Sequence, residues 1–75
     1  MKELVEYIAQ GLVDEPEQVR VREHVTPQEI ALELHVAPSD MGRIIGKSGR
    51  VVNAMRILLR VSAVRRGKRA SLEVH

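Results

Sequence analysis

Gly46-Lys47-Ser48-Gly49 is the stretch of this chain best suited to chemistry, and the chemistry it suits is holding a phosphate. It lies within Ile44-Ile45-Gly46-Lys47-Ser48-Gly49-Arg50-Val51-Val52, where two glycines flank two polar residues. Glycine adopts backbone angles that a Cβ forbids and lets a second backbone approach closely. A helical segment begins at about Gly49, so its unpaired N–H groups and the positive end of its dipole face the loop. Such an end attracts anions. Lys47 adds a mobile cation, Arg50 stands in the first helical turn, and Arg43 lies one turn upstream. A cation in a first turn opposes the dipole. An anionic ligand accounts for Arg50 better than helix stability does. Ser48 is a hydrogen-bond donor to phosphate rather than a nucleophile, because no base accompanies it in the sequence.

Gly-x-x-Gly alone recurs by chance, and a plain helix–turn–helix corner with solvated basic residues has the same letters. Its weight comes from context: two flanking helical segments, a preceding alternating strand, and basic surroundings. A nucleotide P-loop fits less well. That motif needs four residues between its first Gly and Gly-Lys-Ser/Thr. Gly42 to Gly46 encloses three, and Met41 stands where the glycine belongs. The segment before the loop reads as helical, and a chain of 75 residues is expected to hold no parallel sheet. Catalysis and metal binding have little to draw on. His24, His35 and His75 are scattered, and neither a His-x₃-His nor a His–Glu pair indicates a metal. His35 reads as an ordinary surface histidine. No cofactor is implied.

The elements that position the loop follow from periodicity. Residues 2–13 read as a helix, with Leu4, Val5, Ile8, Ala9 and Leu12 on one side, ended by Gly11 and Asp14-Glu15-Pro16. Tyr7 lies off the stripe and is expected to pack at its margin. Residues 18–25 and 29–36 alternate, the second with Ile30, Leu32, Leu34 and Val36 on one face, so both read as half-buried strands. Thr26-Pro27-Gln28 joins them as a hairpin turn. Ser39 or Asp40 caps a short helix over Met41–Ile45. A long helix runs from Arg50 to Arg66 and stops at Gly67. Its sheet-facing side is Val51, Val52, Met55, Leu58 and Leu59; Asn53, Arg56 and Arg60 form a polar stripe continuing from the loop. Ile57, Val61 and Val64 lie off both faces. Some are expected to pack on the first helix, and any left exposed would form a dimer patch. Residues 69–75 alternate again, with Ala70, Leu72 and Val74 on one face. The order is α-β-β-α-α-β. It implies an α+β domain spanning 1–75, with a three-stranded sheet covered on one face by three helices.

Composition narrows the partner. There is no Cys, Trp or Phe and a single Tyr, so neither disulfides nor thiolate zinc sites are available. No apolar run approaches the ~18 residues of a membrane span, and the N-terminus does not read as a signal peptide, so a cytoplasmic location is expected. The net charge of +2 hides an asymmetry: residues 1–40 carry three basic and nine acidic side chains, residues 41–75 nine basic and one acidic. The halves are −6 and +8. That points to an anionic partner for the second half, unless folding brings the two halves into mutual neutralisation. Arg65-Arg66-Gly67-Lys68-Arg69 serves either the helix C-terminal dipole or further phosphate contacts.

The element order with Ile-Gly-Lys-Ser-Gly resembles a type II KH domain. Val36 to Arg50 reads Val-Ala-Pro-Ser-Asp-Met-Gly-Arg-Ile-Ile-Gly-Lys-Ser-Gly-Arg, which is similar to the small single-domain bacterial KH proteins of the KhpA type. The resemblance spans essentially the whole chain. It implies single-stranded RNA binding, the Gly46–Gly49 loop clamping the backbone of about four nucleotides. Arg43, Lys47, Ser48, Arg50 and Asn53 are implied on the phosphate side. Ile44, Ile45, Val52, Leu34 and Val36 are implied as groove floor, with the strand Ile30–Val36 as the opposite wall. A KH groove needs no aromatic platform, unlike most other single-strand readers. The resemblance also implies a role as RNA chaperone or post-transcriptional regulator, a homodimer, and a heterodimer with a second KH-containing protein. A dimerising protein-interaction adaptor and a single-stranded DNA binder are the alternatives.

Overall fold

Alternation and helical periodicity resolve into six principal elements in a computed structural model describing residues 1–75. They are α1 (Lys2–Leu12), β1 (Arg20–Val25), β2 (Glu29–His35), α2 (Met41–Ile45), α3 (Arg50–Val64) and β3 (Arg69–Val74). The order and boundaries agree with the periodicity to within a residue or two. In the first turn of α1, the Glu3 carboxyl is held below the usual range, first by a backbone hydrogen bond and then by the N-terminal ammonium.

The β1–β2 hairpin is antiparallel, with Val21 opposite Leu34 and Val25 opposite Ile30. Its turn is closed by Thr26, whose N–H donates to the Glu29 carbonyl at 2.8 Å and whose Oγ1 accepts from the Glu29 N–H at 3.0 Å. β3 then joins the other side of β2, giving the order β1-β2-β3. This second pairing is parallel, Leu32 beside Leu72 and Leu34 beside Val74. The expectation that so short a chain holds no parallel sheet is therefore wrong. A parallel pair needs a crossover of a dozen or more residues, and α2, the glycine loop and α3 supply one.

One side of the sheet meets the helices. α1 lies over β1, α3 lies over β3, and α2 bridges the two helices. Between them Val5, Ala9, Val21, Ile30, Leu32, Leu34, Ile44, Val52, Met55, Leu59 and Leu72 form a continuous buried core. α3 stops in a Schellman arrangement at Gly67 (φ +69°): Lys68 N–H donates to the Ala63 carbonyl at 2.9 Å and Gly67 N–H to that of Val64 at 3.0 Å. This satisfies carbonyls the helix would otherwise leave open.

Three further expectations fail. Asp40 does not cap α2, which has no side-chain cap. Its carboxylate is buried and accepts from the backbone N–H groups of Asp14 and Glu15, at 3.0 and 3.1 Å, fastening the α1–β1 connection to the start of α2. Tyr7 is not packed at a margin; it is 79% exposed. On α3 the buried face is Val52, Met55, Leu59 and Ala63, while Ile57, Leu58, Val61 and Val64 all stay exposed. α1 sits over β1, out of position to cover them, so they form an apolar stripe facing solvent.

Candidate nucleic-acid interface

The loop between α2 and α3 turns on three positive-φ residues within four positions: Gly46 (φ +76°), Ser48 (φ +57°) and Gly49 (φ +75°). Glycine is required at Gly46 for a second reason. A Cβ there would stand 2.4 Å from Val51 Cγ2 and 2.9 Å from the Val51 nitrogen. Gly49 has more room, the nearest atom being Asn53 Nδ2 at 3.5 Å. Ser48 is the one non-glycine residue of the chain held at positive φ. Strain of that kind costs on the order of 1 kcal/mol and persists mainly where function requires the geometry. The Gly46 N–H closes α2 on the Gly42 carbonyl at 2.9 Å, and the Gly49 N–H turns back to that of Gly46 at 3.1 Å. The Arg50 N–H donates to the Lys47 carbonyl, but no side chain caps α3 and its first turn carries no acidic residue to meet the positive end of the dipole.

The cations around this end differ in what they touch. Arg43 Nη2 donates to Asp14 Oδ2 at 2.9 Å, and its Nε lies 3.6 Å from Asp40 Oδ1. Of the nine Lys and Arg side chains beyond residue 40, Arg43 alone forms an ion pair with a carboxylate. Folding therefore does not neutralise the basic half. Lys47 and Arg50 are exposed and unpaired, and Ser48 is exposed beside them. Arg43, expected among the phosphate contacts, is a strut between α2 and the α1–β1 connection.

The apolar floor also needs correction. Ile44 and Leu34 have no exposed surface and Val52 is 6% exposed, so all three belong to the core. Alternation cannot tell a groove floor from the core beneath it. Flanking the loop in the chain, Ile45 is exposed and Val51 half-buried; Val36, just past β2, is half-buried as well.

The two strands nearest the loop's helices differ in what they leave open. β2 is the central strand, and its helix-side residues Ile30, Leu32 and Leu34 are buried. β3 is an edge. Arg69 and His75 N–H groups donate to the Gln28 and Leu34 carbonyls of the β2 side, at 2.9 and 2.8 Å. With a period of two, the backbone groups of Ala70, Leu72 and Val74 face outward. The Leu72 carbonyl is taken by Arg56, whose Nη2 and Nε donate to it at 3.1 and 3.3 Å. Arg56 Nη1 also donates to Asn53 Oδ1 at 3.3 Å. So Arg56 is not a free cation of the polar stripe; it ties α3 to β3 and holds Asn53. The outward groups of Ala70 and Val74, missed in the sequence, depend on strand register, which local composition does not carry.

Known proteins place this arrangement. A sequence profile described as KhpA/KhpB, KH domain, matches residues 2–74. The RNA-binding protein KhpA of Clostridium perfringens is 47% identical over 74 residues, covering 99% of each chain. That of Clostridium acetobutylicum is 49% identical over the same span, again 99% of each. The Chlamydia pneumoniae protein of the same name is 49% identical over 74 residues, 99% of this chain and 95% of its own. No solved structure gives a significant match. A helix–loop–helix built on Gly46 and Gly49, a mixed three-stranded sheet in the order α-β-β-α-α-β, and full-length likeness to these proteins agree: the chain belongs to the KhpA/KhpB family of KH domains.

Proposed function

We propose that this protein binds single-stranded RNA, with the Gly46–Gly49 loop as the clamp on the sugar–phosphate backbone. The observation that carries the reading is the pairing of a glycine-dependent loop at an uncapped helix start with two unpaired cations, Lys47 and Arg50. The backbone N–H groups of Lys47 and Ser48, which are not used within the loop, the Ser48 hydroxyl and the two cations meet phosphate oxygens. Bases cross Ile45, Val51 and Val36 toward the open edge of β3, where the outward N–H and C=O groups of Ala70 and Val74 meet base edges. Asn53, held by Arg56, is the polar side chain between loop and edge. Nothing in this scheme requires stacking on an aromatic ring, and the role is binding rather than catalysis.

The test is Lys47→Asp with Ser48→Asp, read by fluorescence anisotropy on a labelled single-stranded RNA. Affinity falls at least about 50-fold, because two attractive contacts become repulsive, while the circular-dichroism melt stays cooperative. Unchanged affinity overturns the reading. Competition with a matched DNA oligomer tests the single-stranded DNA alternative.

One groove holds about four nucleotides, so a lone copy binds weakly and a second copy adds avidity. The exposed stripe Ile57, Leu58, Val61 and Val64 favours self-association, or pairing with a second KH-containing protein, through α3. Sedimentation of wild type against Val61→Asp checks this. A monomeric wild type removes the homodimer and the adaptor reading with it. A cytoplasmic role as RNA chaperone or post-transcriptional regulator fits a small, weakly discriminating binder. No helix of the chain is long and apolar enough to cross a membrane. Crosslinking in cells with RNA sequencing identifies the targets.

A further inference from the structure

The face of the sheet that the helices leave open carries a second cluster. Glu33 of β2 and Glu73 of β3 are direct partners in the parallel ladder. His35 follows Glu33 by two residues and His75 follows Glu73 by two, so all four side chains point to this face. The ladder continues through His75, whose N–H donates to the Leu34 carbonyl and whose carbonyl accepts from the Val36 N–H. The two imidazoles accordingly stack, with centroids 4.9 Å apart and planes 19° from parallel. His75 Nε2 lies 3.4 Å from Glu73 Oε2, and His35 Nε2 lies 3.9 Å from Glu33 Oε2. One donor atom each from Glu33, Glu73 and His75 falls within 4.8 Å of the others.

Like charges directly opposite one another weaken a sheet, so the Glu33–Glu73 pair favours a cation between them. The nearby arginines do not fill that place. Arg20 donates to the Glu17 and Val19 carbonyls, at 2.7 and 2.8 Å. Arg22 stands opposite Glu33 on β1 but forms no ion pair with it, and the basic groups nearest the two carboxylates are the imidazoles of His35 and His75. A tetrahedral zinc ion with N and O ligands at about 2.1 Å sets neighbouring ligand atoms about 3.4 Å apart. The His75–Glu73 pair already has that spacing. The other side chains are about half exposed and close the remaining distance by rotamer changes. Imidazole with carboxylate suits borderline transition metals, whereas Mg²⁺ and Ca²⁺ prefer oxygen alone.

We propose that Glu33, Glu73 and His75, with His35 as fourth ligand, form a surface site for a divalent transition-metal ion of the Zn²⁺ kind. The ion bridges β2 to the end of β3, a strand held on one side only. The test is calorimetric titration of the untagged, chelator-treated full chain with Zn²⁺. It compares wild type, Glu73→Gln with His75→Gln, and a His24→Gln control. Wild type and the control bind one equivalent with equal affinity, and the double variant binds at least tenfold more weakly. At a hundredfold excess of free metal over Kd, the wild-type melting temperature rises by roughly 10 °C or more, and that of the double variant does not. In the wild type the ring signals of His35 and His75 move in the NMR spectrum while those of His24 stay. Absence of saturable binding, equal binding by the double variant, or movement of His24 alone overturns the proposal.

Discussion

The short helix α2 has a turn at each end, and the two are built on opposite plans. At its start, the buried carboxylate of Asp40 is surrounded by donors from residues 25 and 26 positions away and by Arg43. At its end, the Gly46–Gly49 loop holds three residues at positive φ, and its cations Lys47 and Arg50 lack any carboxylate partner. The first turn is polar and closed. The second is polar and open. Within one helix, the chain separates groups that determine its shape from groups left available to a ligand. Arg43 and Lys47, four residues apart and of like charge, fall on different sides of that division.

Breaking the closed turn gives the largest effect. Asp40→Ala leaves the Asp14 and Glu15 N–H groups and part of Arg43 without an acceptor, at a cost of about 3 kcal/mol. In a domain of this size that lowers the melting temperature by more than about 12 °C. RNA affinity measured well below the melt stays within about twofold. A large loss of affinity with unchanged stability would place Asp40 in the open site instead.

Substitution within the open turn separates its two glycines. Gly46→Ala puts a methyl group into Val51 at a φ that side chains avoid, destabilising by about 2 kcal/mol and displacing the start of α3. Gly49→Ala meets only the Asn53 amide and costs about 1 kcal/mol. Thermal melts of both variants, with RNA affinity alongside, check the order. Equal costs would mean that contact with Val51 does not constrain Gly46.

The smallest effects sharpen the comparison of like charges. Arg43→Ala lowers stability by about 1 kcal/mol through its ion pairs and leaves RNA affinity nearly unchanged. Lys47→Ala leaves stability unchanged and weakens RNA binding several-fold, with a shallower salt dependence. Denaturant titration and anisotropy at two salt concentrations measure both.

What the sequence shows of this molecule is what depends on neighbours in the chain. The strands around Ile30–Leu34 and Ala70–Val74, the helix stopped by Gly67 and the loop at Gly46 all follow from periodicity or from backbone angles. What it conceals depends on distant partners. Asp40 and Ser39 resemble helix caps locally, and only the return of the α1–β1 connection makes Asp40 an anchor. Arg56 looks like part of a basic stripe until β3 brings the Leu72 carbonyl beneath it. Ile44 and Ile45 are chemically the same, yet one is core and the other is exposed beside the loop. The parallel register of β2 and β3 pairs Glu33 with Glu73, and its continuation stacks His35 on His75, joining residues about 40 positions apart that no spacing rule connects.

The proposed clamp on RNA is the open turn. Titration of the ¹⁵N-labelled protein with a short single-stranded RNA, followed by amide shifts residue by residue, tests it most directly. The predicted result is that the largest shifts fall on Ile45–Asn53 and on Ala70–Val74, with Asp14, Glu15 and Asp40 nearly silent. Shifts centred on Arg65–Arg69 or on the open face of the sheet, with Gly46–Gly49 unmoved, would contradict it.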